Sequence, residues 1–272
     1  MGRPTVGILG AGSMGEIFAS GLVRAGWSTE DLILAVRRTE RAESLTRSTG
    51  IAVTLDVTEA AAGRDVLILA VKPRDMPAVL ASIAGVVSVD QTVVSIAAGV
   101  PIAVIEAALA GVPVIRAMPN TPSAVSLGMA AYTLGSSVDD KSADLARSIL
   151  GAVGDTIELT EDLLDAVTAV SGTGPAYVFL LAESLIEAAI REGLPHHAAE
   201  RLVHQTLRGS GELLASSDKS AFRLRGEVTS PGGTTAAAMH VLEDGGFRAL
   251  IEDAVQAASQ RSRDLGGSAA GT

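Results

Sequence analysis

The chain has no cysteine among its 272 residues. That excludes disulfides, thiolate metal sites and cysteine nucleophiles, and nothing ties the protein to an oxidising compartment. Aromatic residues are scarce at 3%, so the core must be built from small aliphatic side chains that let helices and strands approach closely. Positive charge is also in short supply: 21 basic residues face 31 acidic ones, and the net charge of −10 repels phosphate backbones and anionic membranes. Neither a nucleic-acid nor a membrane partner is expected. The four histidines show no metal-ligand spacing, so no metal site is expected either. His196-His197 follow Gly193-Leu194-Pro195 at a helix start and read as solvated. No long apolar leader precedes the first apolar strand, Val6 to Leu9, and the expected location is the cytoplasm.

What is present is an apolar content of 47%, enough for one large or two ordinary domains to bury a core. From Thr5 to about Leu159, short runs rich in Val and Ile alternate with helix-length segments. The runs are Val6 to Leu9, Leu32 to Val36, Ile51 to Leu55, Val66 to Val71, Thr92 to Ile96, Val112 to Ala117 and Thr156 to Leu159. This alternation predicts an α/β fold, a Rossmann-like, doubly wound parallel sheet over residues 1–160. Runs such as Asp65 to Val71, apolar without interruption after the first residue, suit strands covered on both faces. Beyond Glu161 helical spacing takes over, and residues 161–265 read as an all-helical dimerisation and substrate domain. Its apolar helices, appended to a domain already complete, call for a homodimer through this half. Gly266 to Thr272, made of Gly, Ser, Ala and Thr, reads as a disordered tail. Ala166 to Ala182 runs 17 residues without a charge, near the lower limit for crossing a bilayer. Because it contains Ser171-Gly172-Thr173-Gly174-Pro175, it reads as a loop followed by a buried helix.

Gly10-Ala11-Gly12-Ser13-Met14-Gly15 follows the first strand and opens the first helix, the context a dinucleotide fingerprint requires. The glycines permit a tight turn and a close approach of pyrophosphate to the helix N-terminus. An NAD site then needs a carboxylate at the end of the second strand, about 20 positions on. The chain has Arg37 and Arg38 there instead, a pair that suits the 2′-phosphate of NADP, the alternative being a solvated strand end. NADPH is the expected cofactor, with NADH possible. Three further strand ends supply small or Pro-flanked residues for a cleft wall: Ala70-Val71-Lys72-Pro73, Ser95-Ile96-Ala97-Ala98-Gly99 and Met118-Pro119-Asn120-Thr121-Pro122. In the helical half, Ser171 to Tyr177, including Pro175, and Val228 to Thr235 place Gly, Pro and hydroxyl residues ahead of helices. That arrangement suits a small carboxylate.

Taken together these motifs resemble the pyrroline-5-carboxylate reductase family over about residues 4 to 265, in the family's order. The resemblance implies NAD(P)H-dependent reduction of 1-pyrroline-5-carboxylate to L-proline. It also implies an imino-acid site lined by Val228, Ser230, Gly232, Gly233, Thr234 and Thr235 of one subunit, facing the nicotinamide held by the other. Dimers stacked into a decamer would be in keeping with it. The chain departs from the family pattern at Arg74, at Val57, where an Asn near the adenosine ribose is frequent, and at Ser220-Ala221, which replaces a common His-Pro. A protonated imine is already electrophilic, so its nitrogen asks only for a hydrogen-bond partner, a role Thr235 can fill. The competing readings are a reductase of another cyclic imine or a hydroxyacid, and a non-catalytic NADP sensor on the same fold.

Overall fold

Side chains alternate sides along a strand, and in this chain both sides of each central strand are apolar. In the computed structural model, which describes residues 3–270, they sort into two cores. Val6, Ile8, Ile68, Val94 and Ile115 pack on one face with Phe18, Leu22, Ile149 and Leu150. Leu9, Leu67, Leu69, Val93 and Val114 pack on the other with Met76, Leu80, Ile83 and Ile105.

The elements run β1 (Val6–Leu9), α1 (Ser13–Arg24), β2 (Leu32–Ala35), α2 (Thr39–Thr49), β3 (Ala52–Thr54), α3 (Val57–Ala61), β4 (Val66–Leu69), α4 (Met76–Ile83), β5 (Thr92–Ser95), α5 (Ile102–Ala108), β6 (Val114–Met118), β7 (Gly128–Leu134), α6 (Asp140–Gly151) and β8 (Gly154–Glu158). They form one sheet in the order β3-β2-β1-β4-β5-β6-β7-β8. The first six strands are parallel, as the alternation predicts. The fold is Rossmann-like, and its order reverses between β1 and β4, the switch point where such sheets open a crevice at their carboxyl ends.

Two strands depart from the all-parallel expectation. β7, which the strand–helix alternation does not predict, pairs antiparallel with β6, and β8 runs parallel to β7. Only a short 3-10 turn, Thr121–Val125, separates β6 from β7. A connection that short reverses the chain, whereas a parallel partner needs a long crossover.

The helical half comprises α7 (Leu164–Val167), α8 (Gly174–Arg191), α9 (His196–Ser216), α10 (Ala221–Glu227), α11 (Thr234–Asp244) and α12 (Phe247–Ala270). The compact units divide at Thr173/Gly174, and residues from Ala257 onward belong to the first unit. No loop precedes α8: Thr168–Gly172 form a π-helical turn, and Thr173 donates its N–H to the Thr168 carbonyl at 2.9 Å and its hydroxyl to Ala169 at 2.6 Å. Nor is α8 buried within the single chain, since Phe179 is 66% and Leu180 62% exposed. The stretch Glu161–Arg191, mean hydropathy 1.3, is long and apolar enough to cross a membrane by length and composition alone. The residues expected to begin a disordered tail instead extend α12 as far as Ala270, while Gly271 and Thr272 lie outside the described residues. The backbone at Gly266 packs so closely on the β5–α5 turn that a Cβ there would stand 3.0 Å from the Gly99 carbonyl oxygen. Each helical residue added beyond such an anchor gains a backbone bond at little further cost in order.

Candidate active site

A cleft of about 310 Å³ opens at the carboxyl ends of β1, β2 and β4. Gly10, Ala11, Gly12, Arg37, Arg38, Ala70, Val71 and Lys72 of the expected cofactor residues line it, joined by Val57, Asp75 and Val79. Gly10 holds φ at 90°, and a Cβ there would meet Val71 Cγ1 at 2.5 Å, so only glycine makes this turn. Its N–H and that of Ala11 both donate to the Ala35 carbonyl, at 3.0 and 3.1 Å, which clips the turn to β2. At Gly12 a Cβ would find only the Gly10 oxygen, at 3.9 Å, so the space above it is open for a phosphate. Gly12 is also the N-cap of α1, and no side chain caps the helix; the N–H groups of Ser13, Met14 and Gly15 are left for an anion. These features fit a bound dinucleotide.

At the adenosine end the cations are arranged unequally. Arg37 Nη1 donates to Asp75 Oδ1 at 3.1 Å, whereas the Arg38 guanidinium has no hydrogen-bond or ion-pair partner among the described residues. Arg41, not singled out from sequence, also lines the cleft; its Nε donates to the Ala11 carbonyl at 3.3 Å and its Nη2 to Glu16 at 2.6 Å. Its signal was a third arginine in the first turn of α2, one helical turn beyond the first two. Val57 lines the cleft with an apolar side chain and offers no ribose hydrogen bond.

The other strand ends take up distinct positions. Pro73 opens a 3-10 turn, Pro73–Asp75, behind Lys72, and Ala97 is buried after β5. Asn120 is a brace: its Nδ2 donates to the Ser171 carbonyl and hydroxyl at 3.3 and 3.2 Å, while its Oδ1 accepts from the Met129 N–H at 2.9 Å. It therefore ties the end of β6 to β7 and to the π-turn. Pro175 lies in the first turn of α8, in the second unit. The Ser171–Thr173 segment does not offer the free helix N-terminus expected of it, because its N–H groups are taken up within the helical run.

In the second unit, Val228 to Gly233 form the turn between α10 and α11. Gly232 has φ 69°, Gly233 donates to the Ser230 carbonyl at 3.0 Å, and Gly233 is the N-cap of α11 with no side-chain cap. The first N–H groups of α11 are thus unspent, and the hydroxyls of Ser230, Thr234 and Thr235 bond to no described group. Val228 is exposed, and Thr235 is half-buried. Ser220 caps α10 by accepting from the Arg223 N–H at 3.4 Å, so the serine in place of the family's His still shapes the connection. Glu243 holds both ends of this region: its carboxylate accepts from Arg225 of α10 at 2.9 Å and from Arg248 of α12 at 2.7 and 2.8 Å. The Arg248 guanidinium first, then Arg225, holds that carboxyl well below the usual range, at about 2. Among the described residues no group of three or more His, Asp or Glu could hold a metal.

A dinucleotide cleft in a Rossmann-like domain, followed by a helical unit, defines an NAD(P)-dependent oxidoreductase plan. Residues 161–265 match the model for pyrroline-5-carboxylate reductase dimerisation, and residues 5–99 that for NADP oxidoreductase, coenzyme F420-dependent. A pyrroline-5-carboxylate reductase of Corynebacterium melassecola is 40% identical over 266 residues, covering 96% of this chain and 98% of that protein. Solved structures agree. The pyrroline-5-carboxylate reductase of Coxiella burnetii has a TM-score of 0.88 at 35% identity, covering 97% of this chain and 98% of its own. The Plasmodium falciparum pyrroline carboxylate reductase, crystallised with NADP bound, has a TM-score of 0.89 at 31% identity, covering 98% and 99%. The chain belongs to the pyrroline-5-carboxylate reductase family.

Proposed function

We propose that the chain reduces 1-pyrroline-5-carboxylate to L-proline, the last step of proline biosynthesis, with NAD(P)H as donor. The observation that carries this reading is the uncapped Ser230–Thr235 turn opening α11, in a chain of this family that also has a dinucleotide cleft. The dinucleotide supplies the hydride. The protein's own work is positioning. The N–H groups at the start of α11 and the Ser230 hydroxyl hold the substrate carboxylate, which the positive end of the helix favours. The Thr235 hydroxyl hydrogen-bonds the imine nitrogen, and Val228, Gly232, Gly233 and Thr234 shape the pocket. In the cleft, the N–H groups of Ser13 and Met14 take the pyrophosphate, with Gly15 behind them. Arg37 and Arg38 take the 2′-phosphate, which favours NADPH over NADH. Ala70, Val71, Lys72, Pro73 and Ala97 form the wall along the strand ends.

The same reading includes a homodimer through residues 161–265. The exposed apolar side chains of α8 support it, since a partner's helices can cover them; Glu183 and Glu187 on the same helix weigh against a bilayer. Stacking into a decamer and a cytoplasmic location are parts of the proposal that sizing and cell fractionation check. NADPH oxidation measured with five- and six-membered imino acids and with both reduced cofactors tests the activity. Turnover dependent on the five-membered imine supports it; NADPH binding without imine-dependent turnover leaves the sensor reading standing.

A further inference from the structure

The end of β2 lacks the carboxylate that would accept from a ribose hydroxyl, yet a carboxylate stands at the same end of the cleft. It comes from another strand. The turn after β4 carries Asp75, whose Oδ1 takes the Arg37 Nη1 at 3.1 Å, with Arg74 Nε at 4.0 Å. Asp75 is the fixed member of the pair: its side chain is 23% exposed against 75% for Arg37. Its N–H is held by the Lys72 carbonyl at 2.9 Å, and it leads directly into α4 through buried Met76. Arg37 is therefore the partner that swings.

An N–H that Arg37 gives to Asp75 is not available to a phosphate, and Arg41 is already committed to Glu16 and the Ala11 carbonyl. With the pair closed, Arg38 is the one cleft arginine whose guanidinium is free among the described residues. With the pair open, Asp75 is a bare anion beside an incoming dianion. Both consequences penalise a 2′-phosphate, and neither touches a 2′-hydroxyl, which can donate to the carboxylate.

We propose that Asp75 is a specificity-determining residue that sets the balance between NADPH and NADH, competing with the 2′-phosphate for Arg37 and serving the ribose hydroxyl of NADH. This deepens the cofactor reading above and rests on it. The test is fluorescence titration of NADPH and NADH, with steady-state KM for each, on the full chain as wild type, Asp75→Asn, Arg37→Ser, the two combined, and Arg37→Ser with Arg38→Ser. Asp75→Asn keeps the shape and removes the charge, and its NADPH-over-NADH preference is expected to rise roughly 3- to 30-fold, the range of a part-exposed ion pair plus relieved repulsion. In the Arg37→Ser background the rise is smaller, because the competition is gone. An unchanged preference, an equal change for both cofactors, or a shift towards NADH overturns the proposal, and a thermal melt of the same variant reports that it is folded. The two possible failures separate. Selective NADPH loss in the double-arginine variant with an unchanged ratio in Asp75→Asn removes the role of Asp75 alone. Equal loss of both cofactors in the double-arginine variant removes the phosphate site itself, and this proposal with it.

Discussion

Replacing Thr235 by Ala separates a catalytic hydroxyl from a helix cap. Thr235 is the second residue of α11, the cap position belongs to Gly233, and the Thr235 hydroxyl bonds to no described group. Removing it therefore breaks no internal hydrogen bond. Ala is favoured over Thr in a helix by about 0.5 kcal/mol, and the lost methyl of a half-buried side chain costs about as much again in the other direction. The melting temperature is expected to stay within a degree or two, of the order that a near-zero free-energy change gives. Turnover should behave differently. If the hydroxyl's bond to nitrogen strengthens as the imine becomes an amine, kcat falls roughly 10- to 1000-fold while KM for the imino acid changes less. Thr235→Ser, which keeps the hydroxyl, should retain most of the rate. Steady-state kinetics at saturating NADPH and thermal melts on the same preparations decide the matter. An Ala variant that melts early and turns over at the wild-type rate refutes the reasoning.

Changing Arg37 to Asp and Arg38 to Ser should weaken NADPH by about 1.5 to 3 kcal/mol per lost charged hydrogen bond and NADH far less; equal losses contradict the phosphate assignment. The carboxyl of Glu243, depressed from 4.5 to about 2 in the folded protein, contributes stability that is fully present above 4.5 and is lost as pH falls through that window. Wild type should therefore melt above Glu243→Gln at neutral pH, with the gap closing as pH falls from 4.5 towards about 2; a gap constant across that window contradicts the Arg225–Glu243–Arg248 clamp. Light scattering at micromolar concentration should give a mass of at least two 27.6 kDa chains, and a fully active single chain rules out the shared site.

The parallel half of the sheet was legible because uninterrupted runs such as Val66 to Val71 can be satisfied only by cover on both faces, and the cofactor turn because a strand, three spaced glycines and a helix follow in order. β7 was not legible, since its seven residues follow β6 through a Pro-containing turn that reads as loop chemistry, and no α-helix stands between the two strands to continue the alternation. Ser171 to Pro175 failed for the opposite reason. Its first residues are absorbed into a π-turn held by Asn120 and by Met118 against Gly172, and Gly174 and Pro175 into the first turn of α8, contacts that no local pattern announces. Asn120 stood out by its position after a strand, but the brace it forms to Ser171 and Met129 depends on partners that no local pattern shows. Asp75 and Arg41 escaped notice because each matters only through a cleft assembled from three strand ends.

The central claim is hydride addition to the carbon of the cyclic imine, and isotopic labelling reads it directly. The purified chain would be given 1-pyrroline-5-carboxylate and NADPH deuterated at the transferable position of the nicotinamide. The account predicts L-proline carrying one deuterium, on the ring carbon bonded to nitrogen and remote from the carboxylate, in step with NADPH consumed. NADPH that binds and is not consumed, or proline formed without the label at that carbon, would contradict it.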